Sequence, residues 1–332
     1  MKRFFILGVL IGRCLAADAQ YVPNSGQPFQ FASLYNPAFS GVEPYGDMRL
    51  GYRNQWTGFG ANAPKFIHLA YNFRLQQPTD LILNALRTGP STRDVEIPKG
   101  KRIIHGLGVN FFDQEVGTIS RLGGGVNYAL HYPISKKIHW STGLSVMVEN
   151  TRLKVNEIYL GNNADPDPFY DRLVKNGGNQ TEVNVRAGML LYSSGFYLGV
   201  SYLPVLLAAV QRSGGNFVET PYRGVVQAGV SFPVSPIIDL KPSVVALVQL
   251  NNKWLIDYSI KVFIQQKVWG GLTYRDSQSG IVMIGFNLND MLGAAYSYEV
   301  STGAFRQFSD GSHELVLSVR LNNFKRLTPQ VW

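Results

Sequence analysis

A transmembrane antiparallel β-barrel of about fourteen strands is the fold this sequence predicts, and three observations carry the prediction. Beyond a short leader, apolar side chains recur at every second position through segment after segment of roughly ten residues. No apolar run reaches the ~20 residues of a membrane-spanning helix, and the longest one past the leader, 203–210, contains Pro204. Glycine is abundant at 34 residues, charged residues are only 16%, and Tyr and Phe supply most of a 12% aromatic content suited to interfacial girdles. A large secreted β-sandwich or propeller also alternates. In a bilayer, however, only closure of the strands satisfies every backbone group.

The leader comes first. Residues 1–20 carry basic Lys2 and Arg3, an apolar run over 4–11, and small Ala17 and Ala19. This is the pattern of a secretory signal peptide over residues 1–19, cut after Ala19. Cys14, the only cysteine, falls inside it and follows Arg13, which does not suit lipid attachment. The mature chain therefore has no cysteine for a disulfide, a thiolate metal site or a nucleophile. Residues 20–46 are rich in Pro, Gly, Asn and aromatics without periodicity, and read as an N-terminal segment that folds back as a plug in or near the lumen. The barrel is expected over 47–321 and a C-terminal tail over 322–332.

Strands are predicted at 47–55, 64–74, 103–113, 118–132, 138–150, 181–192, 195–203, 220–233, 238–250, 253–264, 266–276, 280–288, 291–300 and 312–321. Several sort cleanly into two faces. Ile67, Leu69, Tyr71 and Phe73 alternate with His68, Ala70, Asn72 and Arg74, and Trp254, Ile256, Tyr258, Ile260 and Val262 alternate with Leu255, Asp257, Ser259 and Lys261. In a sandwich the apolar face is the core; in a barrel it faces lipid, and Arg186, Asp257, Lys261, Glu314 and Arg320 line a wet interior. Loop parity supports the barrel. With both termini periplasmic, the even connections should be short turns, and 133–137, 193–194, 233–237, 265 and 289–290 are. The long even connection 75–102, with a short helix expected at 79–87, is the exception and reads either as a periplasmic subdomain or as a register off by one hairpin. Pro204 is expected to end regular pairing of the seventh strand, since it has no N–H for a ladder.

Charge and motifs exclude several functions. The formal charge is +9, of which the leader's Lys2, Arg3 and Arg13 against Asp18 leave +7 for the mature chain. The basic residues are scattered, unlike a nucleic-acid-binding face. The five histidines have no zinc spacing, although His131 and His139 face each other across the predicted 133–137 turn. No Gly-x-Ser-x-Gly elbow marks a hydrolase. Asp165-Pro-Asp167-Pro reads as a solvated loop rather than a calcium site. No catalytic residue, metal site or cofactor is expected.

Tyr35-Asn36-Pro37-Ala-Phe-Ser-Gly41, Tyr52-Arg53-Asn54-Gln55-Trp56 and Ala63-Pro64 come in that order, followed by Gly106-Leu-Gly108, Phe112-Asp113, Gly117, Lys241-Pro-Ser243, Tyr296-Ser-Tyr298 and Gly311-Ser-His313-Glu314. In order and spacing these resemble the PorP/SprF family of type IX secretion and gliding systems in Bacteroidota, over about residues 31–321. The 75–102 insertion is longer than the family pattern, and the 322–332 tail follows a strand that would ordinarily end the barrel at an aromatic.

The resemblance implies a non-enzymatic outer-membrane protein that supports secretion, anchoring or surface display of a large adhesin through its C-terminal sorting domain. Outer-membrane lipid and other type IX components are the further partners it implies. A passive pore or small-solute transporter is the alternative, because a fourteen-strand barrel is wide enough for a channel unless something fills it. Two sets of residues are singled out. Arg53 and Gln55 should point one way and Asn54 and Trp56 the other, with the inward groups bonding the N-terminal segment, or Tyr52–Trp56 is simply a strand ending at an aromatic belt. Val205, Leu206 and Leu207 form an apolar patch where a surface loop should be polar, so they either complete the barrel mouth or dock the sorting domain.

Overall fold

A computed structural model describes residues 25–75, 103–135, 137–154, 178–212, 222–249, 254–303, 306 and 309–323, with only the backbone described at 61, 203–212, 222, 223 and 249. The leader, the expected 79–87 helix, the Asp165–Asp167 loop and most of the C-terminal tail lie outside the described residues. No helix among the described residues is long and apolar enough to cross a membrane.

The strands are β1 (Gly46–Asn54), β2 (Lys65–Arg74), β3 (Ile104–Val116), β4 (Ile119–Pro133), β5 (His139–Leu153), β6 (Asn179–Tyr192), β7 (Phe196–Arg212), β8 (Tyr222–Val230), β9 (Phe232–Ser235), β10 (Ile238–Gln249), β11 (Trp254–Ile264), β12 (Val268–Arg275), β13 (Ser279–Asn287), β14 (Leu292–Ser301) and β15 (Ser312–Leu321). Each pairs antiparallel with its neighbours, β1 pairs with β15, and β10 pairs with β11, so the sheet closes on itself. β8 and β9 are two pieces of the single strand expected at 220–233; both lie against β10, and the ladder breaks at Ser231, whose N–H turns to the Gly195 carbonyl at 2.8 Å. The barrel therefore has fourteen strands.

The alternation resolves as a barrel face. Leu50, Leu69, Val126, Val146, Tyr258, Leu272, Val282 and Leu317 are exposed outward, while their strand neighbours point in and are buried or half-buried. Trp254 and Tyr274 stand at strand ends toward one mouth, Phe232 and Phe286 toward the other, where interfacial girdles belong. β1 begins and β15 ends at the same mouth, called here the terminal mouth. Two turns there are short and locally stapled: Ser193 Oγ accepts from the Gly195 and Phe196 amides, and Asn289 Oδ1 from those of Met291 and Leu292.

Three expectations change. β2 and β3 are direct neighbours in register, Lys65 opposite Glu115 through Arg74 opposite Gly106, so the strand register is not off by a hairpin across 75–102. β7 does not stop at 203: it runs to Arg212 against β6 through three register shifts. One shift lies where Ala187 pairs with Tyr202 and Val185 with Val205. Leu203 and Pro204 fall in that irregular stretch, and a bulge tolerates a residue with no N–H to give. The inward charges, finally, do not line an open channel. Arg186, Asp257, Lys261, Glu314 and Arg320 do point inward, yet none is more than 7% exposed, because protein fills the space around them.

Candidate functional site: a lumen filled by the N-terminal segment

Residues 25–45 occupy the barrel interior as three short helical turns, η1 (Pro28–Phe31), α2 (Ala32–Tyr35) and η2 (Pro37–Phe39). The local sequence explains the shape. Pro28 and Pro37 each open a turn, where a missing N–H costs nothing, and Asn36 caps η2 by accepting the Ala38 amide at 3.0 Å. Such short turns leave many backbone carbonyls without partners inside the segment. The barrel wall supplies those partners.

Donors from five strands meet the carbonyls of residues 33–41. Asn127 Nδ2 donates to Ser33 at 2.9 Å, Arg186 to Leu34, Ser201 Oγ to Tyr35 at 2.6 Å, Ser141 Oγ to Ala38 at 2.9 Å and Arg74 Nε to Gly41 at 2.8 Å. His131 Nε2 donates to the Ser40 carbonyl at 2.8 Å, while its Nδ1 faces the Tyr192 hydroxyl at 3.0 Å. His131 and His139 thus both pack on Tyr192. Asn36 reverses the direction, giving its Nδ2 to the wall carbonyls of Met189 and Val200.

Wall glycines set how close the segment comes. A Cβ at Gly106 would lie 2.0 Å from the Ser40 carbonyl oxygen, one at Gly143 2.4 Å from the Ala38 nitrogen, and one at Gly188 2.0 Å from Asn36 Oδ1. Gly41, at φ +78°, approaches Gly106 from the other side. Phe29 packs edge-on to Trp269, Phe31 to His68 and Phe39 to Tyr197, filling what polar contacts leave. Tyr45 closes the segment; burial, with Glu43 and Asp47 alongside, pushes its hydroxyl above the usual phenol range.

At the mouth opposite the termini, a buried charge cluster holds the head of the segment. Arg53 pairs with Glu299 at 2.7 Å and Glu314 at 3.3 Å, and Arg275 with Asp257 at 2.8 Å and Glu299 at 3.1 Å. Ser279 Oγ adds a bond to Glu299 at 2.7 Å. Glu314 accepts from Ser25 Oγ and from the Gly26 amide, and Arg275 Nη2 donates to the Ser25 carbonyl at 3.0 Å. Tyr35, midway along the segment, accepts the Ser25 amide at 3.3 Å.

The sequence motifs divide accordingly. Tyr35, Asn36, Pro37, Arg53 and Glu314 meet in or around the filled lumen. Tyr52 points outward, Gln55 gives its N–H to the Pro64 carbonyl at 2.8 Å, and Trp56, at φ +54°, ends β1 and stands 6.2 Å from Phe59. Asn54 is half-buried at the end of β1. Gly311 takes φ +101° and accepts the Thr57 N–H at 2.9 Å, tying the β1–β2 loop to the start of β15. His313 faces outward, bonded to the Tyr296 hydroxyl at 2.6 Å. Val205, Leu206 and Leu207 are backbone members of β7, and their side chains lie outside the described residues. Arg275, Glu299, Gly143 and Gly188 belong to the socket although no motif marked them; inward register with Arg53 and Glu314 is the signal that finds the first two.

The sequence matches the family described as type IX secretion system membrane protein PorP/SprF over residues 17–319. The chain belongs to that family. It is an outer-membrane barrel of the type IX secretion class. No curated protein matches the sequence. Among solved structures, the chain is similar to the toluene transporter TbuX of Ralstonia pickettii at 11% identity and a TM-score of 0.50, covering 88% of this chain and 93% of that one. The P. putida toluene transporter TodX aligns with 11% identity and a TM-score of 0.47, over 88% and 94% of the two chains. Acinetobacter baumannii Omp33 aligns with 8% identity and a TM-score of 0.45, over 85% and 100%. At such identity the likeness to TbuX concerns the barrel fold alone.

Proposed function

We propose that this PorP/SprF protein is a non-enzymatic accessory barrel of the type IX secretion and gliding machinery, delivered by its signal peptide, that supports display of a large adhesin through the adhesin's C-terminal sorting domain. The observation that favours a scaffold over a pore is the filled lumen: residues 25–45 bond the wall on β2, β4, β5, β6, β7, β12 and β15. A barrel so occupied offers its mouths and loops, not its bore, to a partner. The buried carboxylates of Asp257, Glu299 and Glu314 are engaged in ion pairs, which suits structure better than acid–base chemistry. The patch at Val205, Leu206 and Leu207, whose backbone runs within β7 beside Asn184 and Val185 of β6, is the proposed docking surface.

A deletion strain tests the role. Loss of surface adhesin with unchanged solute uptake is expected; unchanged adhesin with reduced uptake overturns the scaffold in favour of a transporter. Replacing Val205, Leu206 and Leu207 by Ser tests the patch. The barrel should assemble and lose adhesin retention; retention at the normal level in an assembled barrel rules the patch out.

A further inference from the structure

The lumen segment does not enter and leave by the same mouth. Its C-terminal end lies at the terminal mouth. Arg74, the last residue of β2, donates to the Gly41 and Val42 carbonyls, and Tyr45 runs straight into Gly46, which pairs with Leu321 at the end of β15. Its N-terminal end lies at the opposite mouth. Ser25 gives its hydroxyl to Glu314 near the start of β15, and its carbonyl accepts from Arg275, the last residue of β12, at 3.0 Å. Between these ends Asn127 and Arg186, each midway along its strand, hold Ser33 and Leu34.

The head of the segment is hemmed in except toward the mouth. A Cβ at Gly26 would lie 2.9 Å from Arg53 Nη1 and 3.0 Å from both Glu314 Oε2 and Ser297 Oγ, so the seam of the wall closes on one side. On the other, the hydroxyl of Tyr35, from the middle of the segment, accepts the Ser25 amide at 3.3 Å. The bore below is taken up by residues 27–45. The chain that precedes Ser25 therefore has its path outward.

Connection lengths tell which compartment that mouth faces, because long loops belong outside the cell and short turns in the periplasm. The terminal mouth carries the short turns after β4, β6, β9, β11 and β13, with 75–103 the exception, and the opposite mouth carries the long connections after β5 and β7 and the moderate one after β14. Fourteen strands return the wall to the mouth from which it started, and the segment adds one more crossing.

We propose that residues 25–45 carry the N-terminal end of the chain through the bore to the cell surface, while the tail after β15 stays in the periplasm. Both termini being periplasmic then holds for the wall but not for the whole chain. The segment becomes a strap between two compartments. A protein that grips its outer end would draw first on Glu314 and Arg275, then on Arg74 and the start of β1, so a surface contact reaches the periplasmic mouth without movement of the wall. This topology is independent of the adhesin role, since a transporter filled in the same way would share it.

Cys14, the only cysteine, lies in the leader, so a Cys14→Ser background lets a single introduced thiol report alone. Intact cells carrying Tyr21→Cys or Thr328→Cys are treated with a maleimide–polyethylene glycol too large for outer-membrane pores, and the mass shift is read on a gel. Tyr21→Cys should shift in intact cells, and Thr328→Cys should not. A Tyr21→Cys chain that reacts only after the outer membrane is permeabilised, or a Thr328→Cys chain that reacts in intact cells, overturns the proposal. If Tyr21→Cys reacts in neither state, a protease recognition sequence inserted between Gln20 and Tyr21 decides. Cutting by protease added to intact cells is expected, and a site left uncut there overturns the strap.

Discussion

Ser25 hydrogen-bonds Glu314, 289 positions away, and so the head of the lumen segment is fastened to the last strand of the barrel. Glu314 also pairs with Arg53 of the first strand. One carboxylate therefore links the segment, the first strand and the last strand at the seam where the sheet closes.

Glu314→Gln should loosen all three links at once. It removes the charge that neutralises Arg53 while keeping the side-chain volume, and removing one partner of a buried pair costs about 3–5 kcal/mol. Part of that is recovered here because Glu299 still faces Arg53 at 2.7 Å. Heat-modifiability should fall and residues 25–30 should become protease-accessible in purified protein. Ser25→Ala, which removes one neutral donor to Glu314 and the acceptor of the Gln27 amide, should be milder at about 1–2 kcal/mol. Equal effects of the two would deny Glu314 its central place.

Gly143→Ala and Gly188→Ala should act against the segment rather than the wall. The added methyls would fall 2.4 Å from the Ala38 nitrogen and 2.0 Å from Asn36 Oδ1. Overpacking of this kind costs about 1–3 kcal/mol, and the segment can relieve it by withdrawing. Gly280→Ala, whose Cβ would have no neighbour within 4 Å, is the control. The first two variants should expose the segment to protease while keeping a folded barrel band; loss of the barrel itself would mean the wall cannot stand without its filling.

The barrel was legible in the sequence because alternation is a local property: Leu69 out and His68 in can be read from neighbouring letters. Loop parity then gave the strand count, and the strand expected at 220–233 differs by the break at Ser231 and by running on to Ser235. The socket was less legible. That Asn36 reaches Met189 and Val200, or that Gly106 makes room for Ser40, depends on contacts far apart in sequence that no periodicity encodes. Arg53 was readable as an inward polar group, but its partners Glu299 and Glu314 appear only once β14, β15 and β1 lie side by side. The expectation that Arg186, Asp257, Lys261, Glu314 and Arg320 line an open interior failed for the same reason: alternation gives the polarity of a face, not what is packed against it.

A filled lumen changes the substitution pattern that an open one would give. Tyr258→Arg should cost about 2–4 kcal/mol near the bilayer midplane, since Tyr258 faces outward at 49% exposure. In a water-filled barrel Asn184→Arg would be harmless. Here Asn184 is 3% exposed, so arginine should also destabilise, through lack of room, whereas Asn184→Ser should be tolerated. Urea-dependent folding into lipid vesicles measures all three. Tolerance of Asn184→Arg would contradict a packed interior at that level.

Conductance gives the sharpest reading of the same interior. A fourteen-strand wall encloses enough space for an aqueous path when nothing occupies it. The wild-type protein in a planar bilayer should pass little or no steady current, because residues 25–45 bond the wall from Ser25 at one mouth to Gly41 at the other. Gly143→Ala combined with Gly188→Ala should raise the open-channel conductance, and Arg74→Met, which removes donors to the Gly41 and Val42 carbonyls, should raise the frequency of opening without changing its size. The distinction follows from position: the glycine contacts lie along the middle of the bore, whereas Arg74 holds only the end of the segment nearest β1. A wild type that conducts as fully as the double alanine variant would show that the segment does not block the bore in a membrane, and would favour the alternative, a passive pore or small-solute transporter.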